Sequence, residues 1–176
     1  MAINSSPKGE GRSRTGLLLE SLTKGMKEAG AQVTTVNLRS KQIRNCLGCF
    51  TCWTKTPGVC VHKDDMTGEL FPLWLDCDLC VYASPLYHFT VNAAMKNFIE
   101  RTLPILEPFF VERGGKTSHP MRQAPPGAVI LSVAGFPELS VFNQLSSYTS
   151  FLFGKGLMAE IYRPGAEMLG IPYLAN

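Results

Sequence analysis

Charge is scarce in this 176-residue sequence: Asp, Glu, Lys and Arg together make up 18%, and the net charge is +3. Lys and Arg are scattered among the acids without a basic stripe or an RNA-binding motif, which argues against nucleic acid as a partner. No apolar run approaches the roughly 20 residues that a membrane helix needs, so no membrane partner is expected. The opening Met1-Ala2-Ile3-Asn4-Ser5-Ser6-Pro7 lacks the basic and then apolar regions of a secretory signal, and the expected location is cytoplasmic. Internal repeats and low-complexity tracts are also missing. What remains has the size of a single domain, residues 1–176, with 45% apolar residues from which to build a core.

Short apolar segments alternate with amphipathic ones, the pattern of a parallel sheet flanked by helices. A first strand, only a few residues long, ends near Asn4. A helix from Ser13 to Ala29 carries Leu17, Leu18, Leu22 and Met26 at helical spacing, and Gly30 is placed to end it. Gln32 to Leu38 alternates as a second strand. Asp64 can cap a helix bearing Met66, Leu70, Leu73 and Trp74, and Leu79 to Ala83 reads as a buried third strand. Val91, Met95, Phe98 and Thr102 mark the next helix, and Ala128 to Val133 the fourth strand. Pro137 opens a helix with Val141, Leu145, Tyr148 and Leu152 on one face, before a fifth strand from Leu157 to Tyr162. The expected fold is α/β, a doubly wound sandwich on a five-stranded parallel sheet with the C-terminal helix missing. Either the tail from Pro164 to Asn176 replaces that helix or the chain is part of a longer protein. The long loop 104–126, rich in Pro and Gly around the apolar Ile105-Leu106-Glu107-Pro108-Phe109-Phe110, is expected to be a subunit contact.

The loop from Asn4 to Thr15 joins the first strand to the first helix, at the carboxyl end of the sheet where such folds bind ligands. Free N–H groups at the helix start, the helix dipole, the hydroxyls of Ser6, Ser13 and Thr15, and the charges of Lys8 and Arg14 can converge on one anion. The bland alternative is a solvated turn whose Ser and Gly only cap the helix. Neither the Gly-Lys-Ser/Thr ending of a P-loop nor G-x-G-x-x-G is present, which favours a monophosphate over a pyrophosphate.

Six cysteines in a reducing compartment suggest metal or redox chemistry more than disulfides. Cys46, Cys49, Cys52 and Cys60 form Cys-x2-Cys-x2-Cys-x7-Cys within the cysteine-rich loop 46–60, a spacing that lets one loop wrap a compact [4Fe-4S] cluster. Zinc on the same thiolates, and free or redox-active thiols, are the alternatives. Phe50, Trp53 and Val59 would exclude water from the site or serve subunit packing. Cys77 and Cys80 read as small core residues on opposite faces of a strand. Asp64 and Asp65 are given a capping role without chemistry.

Ser6-Pro7-Lys8 followed by Gly11-Arg12-Ser13-Arg14-Thr15 resembles the FMN phosphate loop of the flavodoxin-like NAD(P)H-dependent FMN reductases, and the cysteine motif resembles that of their iron-sulfur flavoprotein branch. The likeness runs on through Ala83-Ser84-Pro85-Leu86-Tyr87-His88-Phe89-Thr90, similar to the family's Ser-Pro-x-Tyr loop, to the turn at Ala134 and Gly135. It implies that Pro85, Leu86, Tyr87, His88 and Phe89 lie against the isoalloxazine ring, with Ala134 and Gly135 at a second flavin-facing turn where Gly permits close approach. His88 is either a proton donor or a polar wall. The implied protein is an FMN-dependent oxidoreductase and electron-transfer iron-sulfur flavoprotein, with NAD(P)H or ferredoxin as donor and a homo-oligomer, dimer or tetramer, as its assembly. An FMN-only quinone or nitro reductase with vestigial cysteines, and a non-catalytic carrier, remain alternatives. No side-chain nucleophile is required. Lys8 stands where many relatives have Arg.

Overall fold

The computed structural model describes residues 1–9 and 11–170; Glu10 of the first loop and residues 171–176 of the tail lie outside them. Five parallel strands run in the order β2-β1-β3-β6-β7, where β1 is Ala2–Asn4, β2 Thr35–Asn37, β3 Leu79–Pro85, β6 Gly127–Val133 and β7 Leu157–Arg163. The intervening β4, Val111–Arg113, and β5, Lys116–Ser118, form a separate antiparallel hairpin. Alternation along the central strands divides the core into two layers. Ala2, Val81, Ala83, Val129 and Leu131 face α1, Arg14–Glu28. Ile3, Cys80, Tyr82, Ala128 and Ile130 face a layer containing α2, Phe71–Asp76, α3, Ala93–Glu100, and α4, Asn143–Phe153. The doubly wound sandwich on a five-stranded parallel sheet is therefore as the apolar pattern predicts. No helix of the described residues is long and apolar enough to cross a membrane.

The departures have local causes. Helix α1 buries Thr15, Leu19 and Thr23, while Leu17 is 41% exposed. Leu18, Leu22 and Met26 pack against the core as the periodicity predicts, whereas the two buried threonines carry no apolar signal. The Asp64 helix starts as a π-helix over Met66–Leu70, closed by Phe71 N–H donating to the Met66 carbonyl. Pro72, which follows, lacks an N–H and its ring crowds the carbonyl four residues back, so the widened turn relieves an α-helical clash. Pro137 does not open α4; a 3₁₀ turn, Leu139–Phe142, intervenes. The long loop is not featureless, since Leu106 bridges Met121 and the β4–β5 hairpin closes its tip. After β7 the chain turns back: Ala166 N–H donates to the Ala134 carbonyl at 2.8 Å, and Ala166–Gly170 forms a 3₁₀ helix over the carboxyl edge. The remainder of the expected tail lies outside the described residues.

Two glycines of α1 differ in their surroundings. A Cβ on Gly16 would stand 3.2 Å from Ser13 Cβ and 3.3 Å from Asn4 Nδ2, whereas one on Gly25 meets nothing within 4 Å. Alanine normally stabilises a helix by about 1 kcal/mol over glycine. Urea unfolding is accordingly expected to show that gain for Gly25→Ala and to show none, or a loss, for Gly16→Ala.

Candidate functional site: a carboxyl-edge cleft and a cysteine loop

Three loops meet above the ends of β1, β3 and β6. Ser13 caps α1, its Oγ accepting from Gly16 N–H at 2.9 Å, and so opens the helix with its free N–H groups toward the first loop. Ser6 Oγ accepts from Lys8 N–H at 3.3 Å. The loops are tied together by Asn92, the buried N-cap of α3. Its Nδ2 donates to the Ser5 carbonyl at 2.6 Å, its Oδ1 accepts from Met95 N–H at 3.1 Å, and its own N–H donates to Ser84 Oγ at 3.0 Å. Ser132 Oγ adds the fourth strand by donating to the Ser84 carbonyl at 2.8 Å.

This arrangement brings nine of the twelve expected residues into one cleft: Ser6, Lys8, Arg14, Thr15, Pro85, Leu86, Tyr87, Ala134 and Gly135. Ser13 instead lines the neighbouring cleft with Lys8, Asn37 and Arg39, its hydroxyl engaged in the helix cap. His88 and Phe89 stand at the rim, where they form the tip of a tight turn between Tyr87 and Thr90. Both have positive φ, 47° and 63°, a conformation that strains non-glycine residues and is typical of functional sites. Phe89 stacks on Phe136 of the β6 loop, ring centroids 6.3 Å apart. Three cleft features went unread in the sequence. Ala166 and Glu167 enter from the returning tail, which no local motif announces, and Asn92 could have been found only as a helix-capping residue.

Two observations speak to what the cleft can hold. Arg14 Nε is buried and has no hydrogen-bond partner among the described residues, although it sits with Ser6, Lys8 and Thr15. A buried donor without an acceptor is uncommon, and an anionic oxygen would satisfy it. Gly135 leaves room: the nearest heavy atom to a Cβ built there is Glu167 Cγ at 3.9 Å. Phosphate at the α1 start and a flat ring across Gly135 both fit these residues.

The second site lies beyond the opposite end of α3. Cys46, Cys49, Cys52 and Cys60 all line one narrow cleft, together with Arg101. All six cysteines are free thiols. The loop folds back through left-handed Gly48 and Phe50, at φ 61° and 52°, into a short 3₁₀ turn, Thr51–Trp53. Bonds from the Thr51 side chain and backbone pull the Cys49 thiol pKa down, while burial and the neighbouring Cys60 push that of Cys52 up. Among the described residues no three His, Cys, Asp or Glu already stand at metal-holding distances. Four soft donors on one cleft beside a cation nevertheless form a donor set suited to a thiophilic metal or cluster. Phe50 and Val59, expected to exclude water or to serve subunit packing, are 46% and 53% exposed; Trp53 is half-buried, its ring tilted between those of Phe50 and His119 with centroids 4.8 Å from each. Cys80 is a core residue as expected. Cys77 is not on β3 but half-buried at the end of α2, its Sγ donating to the Trp74 carbonyl at 3.3 Å.

Asp64 does more than cap. Its carboxylate forms a buried two-point pair with Arg101, at 2.7 and 3.0 Å, and accepts Arg44 N–H and Thr67 N–H. Arg101 also donates to the Arg44 carbonyl at 2.6 Å, so the start of the cysteine loop is clamped to α3. Its Nε is buried and without a partner among the described residues; burial lowers the guanidinium pKa, but the bond to Asp64, with Cys60 nearby, outweighs it and raises that pKa.

The order of strands, 2-1-3 followed by the two later ones, together with a ligand cleft at the carboxyl edge, defines a flavodoxin-like protein. The chain belongs to the NADPH-dependent FMN reductase family, whose model matches residues 1–152. It is similar to an iron-sulfur flavoprotein of Archaeoglobus fulgidus, 39% identical over 104 residues, covering 59% of this chain and 45% of that protein. An iron-sulfur flavoprotein of Methanocaldococcus jannaschii is 30% identical over 105 residues, covering 60% and 52%. The chain thus spans about half the length of the curated relatives it matches. Among solved structures it resembles NAD(P)H:quinone oxidoreductase from Methanothermobacter marburgensis, with TM-score 0.68, 17% identity and coverage of 98% of this chain and 91% of that one. An FMN-dependent NADH-azoreductase from Bacillus anthracis in complex with FMN gives TM-score 0.67 at 14% identity, covering 98% and 90%. At these identities the structural likeness is one of fold.

Breaking the Asp64–Arg101 pair is the sharpest test of the clamp. Burial favours a protonated Asp64, but the bonds from Arg101, Arg44 and Thr67 outweigh it and hold the carboxyl well below the usual carboxylate range. A depressed pKa stabilises the fold fully above the unfolded value of about 3.9, and that contribution is lost as pH falls through the folded value. Asp64→Asn is expected to destabilise the protein by about 3–5 kcal/mol at neutral pH. Its stability should also fall less steeply than that of the wild type on acidification below about pH 4, as read by urea unfolding across pH.

Proposed function

We propose that this chain is a single flavodoxin-like domain of an FMN-dependent oxidoreductase, with the phosphate bound by Ser6, Lys8, Arg14 and Thr15. The observation that carries the reading is the unpartnered, buried Nε of Arg14 in that cleft. Ser13 orients the α1 N-terminus through its cap. Pro85, Leu86 and Tyr87 supply one wall for the ring, Ala134 and Gly135 the other, and the stacked Phe89 and Phe136 border its open side. His88, exposed at the rim, is a polar wall in this reading.

Cys46, Cys49, Cys52 and Cys60 are proposed to hold a [4Fe-4S] cluster, supported by the shared cleft, by the adjoining Arg101 and by the names of the similar archaeal proteins. When bound, FMN takes up electrons in pairs and releases them singly, whereas an iron-sulfur cluster passes one at a time. The chain's own residues orient the ring, restrict water at its buried side and place a cation beside the thiolates. NAD(P)H or a reduced ferredoxin is the proposed donor, in a cytoplasmic setting that keeps the cysteines reduced. A homo-oligomer, dimer or tetramer, is proposed from the exposed Phe109, Phe110 and Phe151. Steady turnover of NAD(P)H with a soluble acceptor separates this enzyme from a non-catalytic carrier.

The test is an anaerobic absorption spectrum with iron and acid-labile sulfide analysis. Flavin bands over a broad shoulder near roughly 400 nm, with close to four irons per chain, are expected. Protein that retains no yellow chromophore in excess FMN overturns the flavin reading; a flavin spectrum without iron or sulfide overturns the cluster alone. Arg14→Met, which removes one charge-assisted bond, is expected to weaken FMN by about tenfold or more in a flavin-fluorescence titration.

A further inference from the structure

A cavity of about 590 Å³ lies at the C-terminal ends of α3 and α4, remote from the Asn92 cap and sharing no residue with the carboxyl-edge cleft. Its floor is core: Trp74, Tyr82 and Ile105 are 4%, 2% and 5% exposed. Tyr82 and Phe153 present neighbouring rings, centroids 4.9 Å apart. The cavity is open to solvent, and apolar wall left in contact with water favours an apolar body that covers it. The volume falls within the roughly 300–1,000 Å³ of small-molecule sites.

The lining sets the chemistry of the occupant. Glu100 is the one charged residue among those lining the cavity, and its carboxylate is engaged by Lys96 one helical turn earlier. Neither a cation to hold an anion nor an uncommitted acid to hold a cation is offered. Aromatic and branched walls favour a flat apolar body. Cys46 and Phe50 line both this cavity and the narrow cleft of the four cysteines, so an occupant would abut the cysteine loop.

We propose that this cavity is a binding site for an uncharged, fused-ring aromatic molecule seated against the Cys46 side of the cysteine loop. The site goes beyond the flavin reading and does not depend on it. Its recognition elements are the buried Trp74 and Tyr82 beneath and Leu152 and Met121 at the mouth, which are 40% and 51% exposed and accept larger side chains without disturbing the core.

The test is calorimetric titration of the FMN-supplemented full chain with 2-naphthol, which is uncharged at neutral pH. Leu152→Trp and Met121→Trp, which fill the mouth, are expected to weaken binding tenfold or more. Phe136→Ala, at the rim of the other cleft, should leave it within twofold. The circular dichroism spectra should match that of the wild type, and if Leu152→Trp misfolds, Met121→Trp decides the matter. The proposal is overturned if wild type binds no 2-naphthol, if the mouth variants bind as wild type does, or if Phe136→Ala alone weakens binding. It is overturned equally if sedimentation shows that the mouth variants dissociate a wild-type oligomer, because a second copy would then fill the cavity.

Discussion

Where parallel strands end, their last backbone groups lose the ladder that satisfied them, and loops that would bind a ligand are free to drift apart. Asn92 meets that problem from one position: its side-chain amide donates to Ser5 after β1 and accepts from the first turn of α3, and its backbone N–H donates to Ser84 Oγ. Ser132 extends the web to β6. Low exposure strengthens these bonds and raises the penalty for leaving any of them unmade. The loops that carry Arg14, Tyr87 and Gly135 leave the strands next to this web, at the cleft they share.

The cysteine loop is held by a different kind of force. It has little apolar packing of its own, with Leu47, Phe50 and Val59 exposed, and its anchor is the buried charge pair beneath it. A hydrophobic anchor would be indifferent to thiolates. Arg101 instead brings a guanidinium to the cleft that all four cysteines line, so the group that fastens the loop also sets a positive charge beside its sulfur atoms.

Much of the fold was legible because each central strand is an unbroken apolar run and each loop motif sits between a strand and a helix. The loop after β1 and the Ser84-Pro85-Leu86-Tyr87 segment could be placed at the carboxyl edge for that reason, where both line one cleft. Ser13 shows how close two roles lie in sequence, because helix capping, which its hydroxyl performs, and anion binding call for the same residue type at the same end. On α1 the apolar spacing reached Leu18, Leu22 and Met26, which pack on the core, but not Thr15 and Thr23, which are buried on the same helix without an apolar signal. Glu167 and Ala166 could not be read at all, since they reach the cleft only through the path of the chain after β7. Nor could Asp64 and Arg101, 37 residues apart, be paired from spacing alone.

That last pairing constrains how relatives of this chain can diverge. Losing either partner leaves a lone charge in a dry place, so single replacements at these two positions should be purged while joint replacement by apolar residues survives. Sequences that have abandoned the cysteine loop have no further need of its clamp. Position 64 and position 101 are therefore expected to drift together in such lineages, leaving a paired substitution as the trace of a vanished loop.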